Sequence, residues 1–431
     1  MRPVRRARRV PAHRSPRAAR AALVLAAVAA LAPAPAGAQQ TAPDSTQSVL
    51  SPSLRVYLMT IGQGDEVWEK FGHNAIWIRD ESRGIDVAYN WGVFSFEQVG
   101  FYSKLVSGHM RYQMAAEDAV RMANYYASVN RTMWVQELNL TPGQKLALVQ
   151  FLDWNNRPEN REYDYDYYRD NCSTRARDAL NRVMGGDLKR QLEARPTGST
   201  YRTETQRLTA AAVPAYTGLL LAMGHPADRP LDEWEDAFIP MRLMESIRSA
   251  TVPGPDGPRP LVLSDAVVFR ADRAPPPDTP PDRRIAYTAA GIAFGALLLG
   301  LARLGRRVKI ARAGFFTLAT LWSLAIGVFG AMITMLWAFT DHTATYRNEN
   351  VLQVEPLSLI LAGLLVAAAF GKGMRGARRV AVAIATLAVA GFVLQALPGL
   401  DQANGPIIGL VAPIHLALAG SLLAISPRDG G

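Results

Sequence analysis

At 431 residues the chain is long enough for more than one domain, but its formal net charge of +10 is unevenly placed. Eight arginines fall within residues 1–20 and nine further Lys/Arg within 303–312 and 372–379, whereas residues 39–302 hold 28 basic and 32 acidic side chains, a balance near −4 that excludes a nucleic-acid partner. The single cysteine, Cys172, excludes an intramolecular disulfide; no His/Cys/Asp/Glu spacing suits a metal and no glycine-rich loop suits a phosphate cofactor.

In chain order, residues 1–38 read as a secretory signal. A basic stretch precedes an apolar run at 21–31, and Ala36-Gly37-Ala38 is a small-x-small cleavage site. Residues 39–269 read as an extracytoplasmic α+β domain. Alternation predicts strands over 54–61, 75–78 and 85–93, the last two around a polar turn at 80–84. Helices are predicted over 115–130, over 141–155 with Thr141 as cap and Pro142 in the first position, and over 174–194. In the last, Ala176, Ala179, Leu180, Val183 and Met184 share a face. A final strand is expected at 261–269, then a linker at 270–284 with five prolines.

Residues 285–425 read as an all-α membrane domain of five spans, at 285–303, 314–339, 356–371, 379–397 and 405–425. The loops after the first and third carry nearly all the basic residues, which assigns them to the cytoplasm. Residues 340–355 and 398–404 then share a compartment with the α+β domain.

Cys172 sits in Asp170-Asn171-Cys172-Ser173-Thr174, just before a predicted helix. Asp170 or Asn171 can cap that helix, placing the thiol where helix amides and the macrodipole favour a thiolate and an oxyanion. A thiol nucleophile needs a base, and the base an orienting partner. His73, at the start of the second strand, is the candidate base. Pairing across the 80–84 turn brings residues near 90 opposite it, which makes Asn90 the orienting candidate and leaves Asp86 as its rival. In the 340–355 loop, Asp341, His342, Asn348 and Asn350 form a polar group facing the same compartment. With Asn171 they are the candidate substrate-binding residues. His109 and His225 read as surface residues, and His415 lies within the last span.

Phe71-Gly72-His73-Asn74, Tyr89-Asn90-Trp91-Gly92-Val93-Phe94, the motif from Asp170 to Asp178, and Trp234-Glu235-Asp236-Ala237-Phe238-Ile239-Pro240 resemble the DUF4105 family, which includes the Lnb-type lipoprotein N-acyltransferases. Thr340-Asp341-His342 and Asn348-Glu349-Asn350 resemble its membrane half. The order of histidine before cysteine is similar to circularly permuted papain-like proteins of the NlpC/P60 superfamily. The resemblance implies Cys172 as nucleophile, His73 as base, a membrane phospholipid as acyl donor, and the α-amino group of a diacylated lipoprotein cysteine as acceptor. It also implies residence in the bacterial inner membrane with the catalytic domain on the periplasmic side. A cell-wall cysteine peptidase or amidase using the same pair, and a non-catalytic membrane assembly protein, are the alternatives.

Overall fold

The computed structural model describes residues 51–94 and 100–425; the signal expected at residues 1–38 lies outside them. Among the described residues, strands β1 (Leu54–Ile61), β2 (His73–Asp80), β3 (Ile85–Val93), β4 (Arg111–Asp118), β5 (Met133–Leu138) and β6 (Glu162–Asp164) are joined by β11 (Val262–Phe269) in one antiparallel sheet. Its order is β11-β5-β1-β2-β3-β4-β6. Two short ribbons complete the strands: β7 (Pro196–Thr200) with β8 (Pro230–Asp232), and β9 (Thr251–Val252) with β10 (Arg259–Pro260).

Helices α1 (Phe101–Ser107) and α2 (Ala119–Ser128) flank β4, and α3 (Pro142–Asn155) and α4 (Cys172–Val183) follow β5 and β6. Burial fixes which face of the sheet α4 covers. Val56, Leu58, Ile76, Ile78, Tyr89 and Trp91 form a core with Leu148 and Leu152 of α3 and Ala176, Ala179 and Leu180 of α4. That packing sets the first residue of α4, Cys172, against β2 and β3.

Two elements differ from the sequence expectation. The helix expected over 115–130 begins only at Ala119, capped by Asp118, whose carboxylate accepts the Arg121 N–H at 2.7 Å. Residues 115–118 instead pair with β3, with Asn90 opposite Ala115 and Tyr89 opposite Ala116, so sheet pairing overrides local helix preference. The helix expected over 174–194 is broken into α4 and α5 (Asp187–Glu193) at Gly185-Gly186, where φ of 64° and 88° turns the chain left-handed. By contrast, α3 starts as read, with Thr141 and Gln144 forming a reciprocal capping box and Pro142 in the first turn.

Helices α6 (Tyr201–Leu208), α7 (Val213–Ala222), α8 (Glu233–Asp236) and α9 (Pro240–Arg248) lead to residues 270–283, which carry no helix or strand. This segment is nonetheless pinned. Arg273 forms a two-point pair with Asp65 at 2.6 and 3.0 Å, and Arg283 donates to the Ala210 carbonyl at 2.6 Å.

Among the described residues, five helical segments are long and apolar enough to cross a membrane. They are built on α10 (Arg284–Leu304), α11 (Lys309–Phe339), α12 (Leu357–Ala369), α13 (Met374–Leu394) and α14 (Gly405–Ala424). The 13 residues of α12 reach only about 20 Å at the α-helical rise, too short for a hydrocarbon core. A short helical turn at Glu349–Leu352 extends that span, and the bend between them lies hard against α11. There a Cβ at Gly330 would stand 2.5 Å from the Glu355 carbonyl carbon, so only glycine permits the approach.

The α+β domain is seated on this bundle. Tyr216 and Leu220 of α7 share a core with Ile326 and Ile333 of α11 and Val411 of α14. The last carbonyls of α7 are received by the loops expected on this side. Asn348 Nδ2 donates to Leu221 and Ala222 at 2.8 and 3.0 Å, Asn350 Nδ2 to Leu220 and Leu221 at 3.0 and 3.1 Å, and Gln402 Nε2 to Met223 at 3.2 Å.

Candidate active site

Cys172 is the first residue of α4, and its cap is Asn171. Asn171 Oδ1 accepts from the amides of Ser173 and Thr174 at 2.9 and 3.0 Å, while its Nδ2 donates to the carbonyls of Tyr167 and Phe238 at 2.9 and 3.0 Å. Expected from sequence to touch substrate, Asn171 lines the site but is engaged at every polar position. The stretch from Trp234 to Pro240 braces the same helix end. Ser173 Oγ donates to the Ala237 carbonyl at 2.7 Å, and the Arg177 guanidinium lies 3.7 Å from the centre of the Trp234 ring.

The thiol is partly exposed to a cavity of about 760 Å³ that His73 also lines. The backbone amide of Asn74, the residue after His73, acts on the Cys172 thiol, which ties the two positions together. Behind it, a Cβ at Gly92 would lie 3.7 Å from the Cys172 Cβ, so β3 forms the back wall. Burial pushes the thiol pKa up, opposed by the Asn74 and Ser173 amides and by the Arg131 charge. Burial lowers the His73 pKa to about 3, aided by Arg131 and opposed by Asn90. Both shifts favour a neutral thiol and a neutral imidazole, against the helix end, which favours a thiolate. Two of the amides expected to create that thiolate already serve Asn171.

Asn90 acts on the His73 ring. Its Nδ2 faces the Ala115 carbonyl at 3.4 Å and Glu117 Oε1 at 3.3 Å, which leaves its oxygen for the His73 ring. Asp86 is placed elsewhere. It pairs with Arg79, near the other end of β2 from His73, and its Oδ1 accepts the Trp77 indole N–H at 2.5 Å. His73 Nε2 is buried without a hydrogen-bond partner, and the ring lies 6.2 Å from that of Tyr126.

The opposite wall comes from the membrane domain. Met332, Met335 and Leu336 of α11 line the cavity, as do Asp341, His342, Thr343 and Thr345 beyond its end. His342 Nε2 lies 2.8 Å from the Leu105 carbonyl and its ring stacks 6.1 Å from Tyr167, while Asp341 pairs with His109 at 2.8 Å. Asn348 and Asn350 are not among the lining residues. Both are fully buried at the α7 terminus, so their polarity serves docking. Arg131 and Glu117, unremarked in the sequence, do line the cavity. The strand register that brings Asn90 opposite Ala115 was the signal that could have found Glu117.

These features define a membrane protein whose N-terminal mixed α/β domain holds a cysteine and a histidine in a cavity walled partly by its own spans. A family model described as the Lnb N-terminal periplasmic domain matches residues 41–207, and one described as the Lnb transmembrane domain matches residues 292–400. Together they cover more than half of the chain, which belongs to the Lnb family and has a periplasmic N-terminal domain and a transmembrane domain. No curated protein and no solved structure matches it.

Proposed function

We propose that this protein is a thiol acyltransferase of the bacterial inner membrane. In this reading it moves an acyl chain from a phospholipid, through a thioester on Cys172, to the α-amino group of a diacylated lipoprotein cysteine. The observation that carries the reading is the shared cavity. A thiol and a neutral imidazole line one cavity whose mostly apolar wall reaches α11, which suits a lipid ester approaching the sulfur.

His73 takes the proton from Cys172 as the sulfur attacks the ester carbonyl, with Asn90 favouring the imidazolium that forms. The Asn74 amide, which acts on the thiol, is the donor proposed for the developing oxyanion. Collapse breaks the C–O bond, the alcohol of the lysolipid leaves with the proton from His73, and the thioester remains. The acceptor amine then attacks the thioester, its C–S bond breaks, and the proton released by nitrogen returns through His73 to the thiol. A low imidazole pKa keeps His73 unprotonated before each half-reaction but weakens it as a base, so the proton transfer relies on Asn90 favouring the imidazolium.

The experiment is intact-mass analysis of full-length protein incubated with phospholipid. An adduct of one acyl chain, absent from Cys172→Ala and discharged by a diacylated lipopeptide, is expected. No adduct with any phospholipid, or discharge to water at the same rate as to the lipopeptide, sinks the proposal.

A further inference from the structure

Arg131 is 4% exposed, yet it borders the cavity that contains Cys172 and His73. Two of its three nitrogens are held in place. Nε donates to the Gly62 carbonyl at 3.0 Å and Nη1 to Glu69 Oε1 at 3.2 Å, while the Tyr126 ring centre lies 5.0 Å from the guanidinium carbon. The third nitrogen, Nη2, is buried and has no partner among the described residues. A buried guanidinium nitrogen left unbonded costs stability, and a clasped guanidinium with one free edge is preorganised for an anion. Among the described residues lining the cavity, Arg131 is the sole Arg or Lys, and most of the others are apolar or aromatic. The four carboxylates there are already engaged: Glu69 with Arg131 itself, Glu117 with Asn90, Asp166 with the amides of Tyr168 and Arg169, and Asp341 with His109. A cavity with one fixed cationic edge and apolar walls reaching a membrane helix suits an amphiphile with an anionic group close to its acyl chains.

We propose that the free edge of Arg131 binds the phosphodiester of the donor lipid, making this arginine the residue that selects a phospholipid over an uncharged diglyceride. The inference rests on the acyltransferase reading. In a glycerophospholipid the phosphorus lies a few bonds from each ester carbonyl, so a phosphate held at Arg131 keeps an ester within the part of the cavity that holds Cys172. The arginine charge is close enough to act on both Cys172 and His73. A hydrogen bond from Nη2 to a phosphate oxygen is charge-assisted on both sides, which makes it stronger than a neutral one.

The test compares two donors on the full-length protein: phosphatidylglycerol and the diacylglycerol with the same chains. The rate of acyl-adduct formation on Cys172 is read by intact mass. The wild type is expected to prefer the phospholipid by roughly 10–100-fold, the worth of one hydrogen bond to a charged group. In Arg131→Gln the ratio should fall to near one, and Arg131→Lys, which keeps the charge, should restore part of it. A ratio that survives in Arg131→Gln while both rates drop together overturns the proposal and makes Arg131 a support for the dyad alone. A second arm needs no acyl transfer. A diether phospholipid should shield Cys172 from iodoacetamide more than the matching diether glycerol, and Arg131→Gln should erase the difference. Equal shielding by the two diethers in wild type, or shielding by inorganic phosphate as strong as by the phospholipid, overturns the lipid-phosphate assignment. If no lipid acylates Cys172, the acyltransferase reading fails, while this arm still decides the anion site.

Discussion

Two histidines face one cavity from opposite walls, and their surroundings differ in kind. His73, on the sheet, has a pKa lowered to about 3 and a buried Nε2 without a partner. His342, on the loop after α11, has its Nε2 at the Leu105 carbonyl and its ring stacked on Tyr167. An imidazole with an unused nitrogen can move a proton, whereas one bonded and stacked between two regions holds them together. In the proposed mechanism the sheet wall carries reactivity and the loop wall carries placement, although both present the same side chain.

The contrast is sharpest at the nucleophile. Cys172→Ala should remove the acyl adduct altogether while membrane insertion and thermal melting stay close to wild type, because little buried volume is lost. Adduct formation that persists in that variant would move the nucleophile elsewhere. His73→Gln should slow adduct formation by roughly 10²–10⁴-fold, the usual contribution of a general base. Single-turnover rates across pH should distinguish it from a structural histidine. With the pKa depressed from the usual 6.5 to about 3, the wild-type rate should not fall near pH 6 and should decline only toward pH 3. The same shift acts on stability. Between 6.5 and 3 the unfolded chain binds a proton that the folded site refuses, so wild-type melting should weaken as pH falls through that window, and His73→Gln should flatten the trend.

Smaller effects test the supports. Asn90→Ala should cost roughly 10–100-fold, as expected for losing a hydrogen bond to a charged imidazolium. Glu117→Gln, which still faces Asn90 but can present its amide the wrong way round, should cost less than Asn90→Ala. If Glu117→Gln were the more damaging of the two, Glu117 would have a task beyond orienting Asn90. On the loop wall, His342→Ala should change adduct formation by about 2–10-fold, mainly through weaker lipid capture. A loss there as large as in His73→Gln would erase the distinction between the two walls.

Much of this site was legible in the sequence because local signals carried it. The polar turn at 80–84 set the pairing that brings Asn90 opposite Ala75, within two positions of His73, and the Asp170-Asn171 pair announced a helix, which Asn171 caps and which begins at Cys172, two residues before the expected start. The basic loops correctly separated one end of the bundle from the end that meets the periplasmic domain. What stayed hidden depends on contacts between distant segments. Residues 115–118 carry helix formers, and only β3 beside them makes them a strand. Asn348 and Asn350 have the composition of a ligand site, yet the α7 carbonyls that consume their amides lie more than a hundred residues away in the chain. Arg131 follows an ordinary helix–strand turn, and its role depends on Gly62 and Glu69, which only the fold brings to it.

The seating of the α/β domain on the bundle also bears on how the protein is made. The segment that supplies Cys172 and His73 leaves the ribosome well before residues 332–345, which form the facing wall. During synthesis the thiol therefore looks out of a half-built trough whose exposed lining includes Trp68 and Val106. The α7 carbonyls likewise wait for Asn348, Asn350 and Gln402. The walled site exists only once the second span and the loop after it are in place, so an export intermediate that stalls earlier bears an open apolar trough around Cys172. The chemistry proposed for Cys172 therefore waits on completion of that wall, which the membrane half supplies.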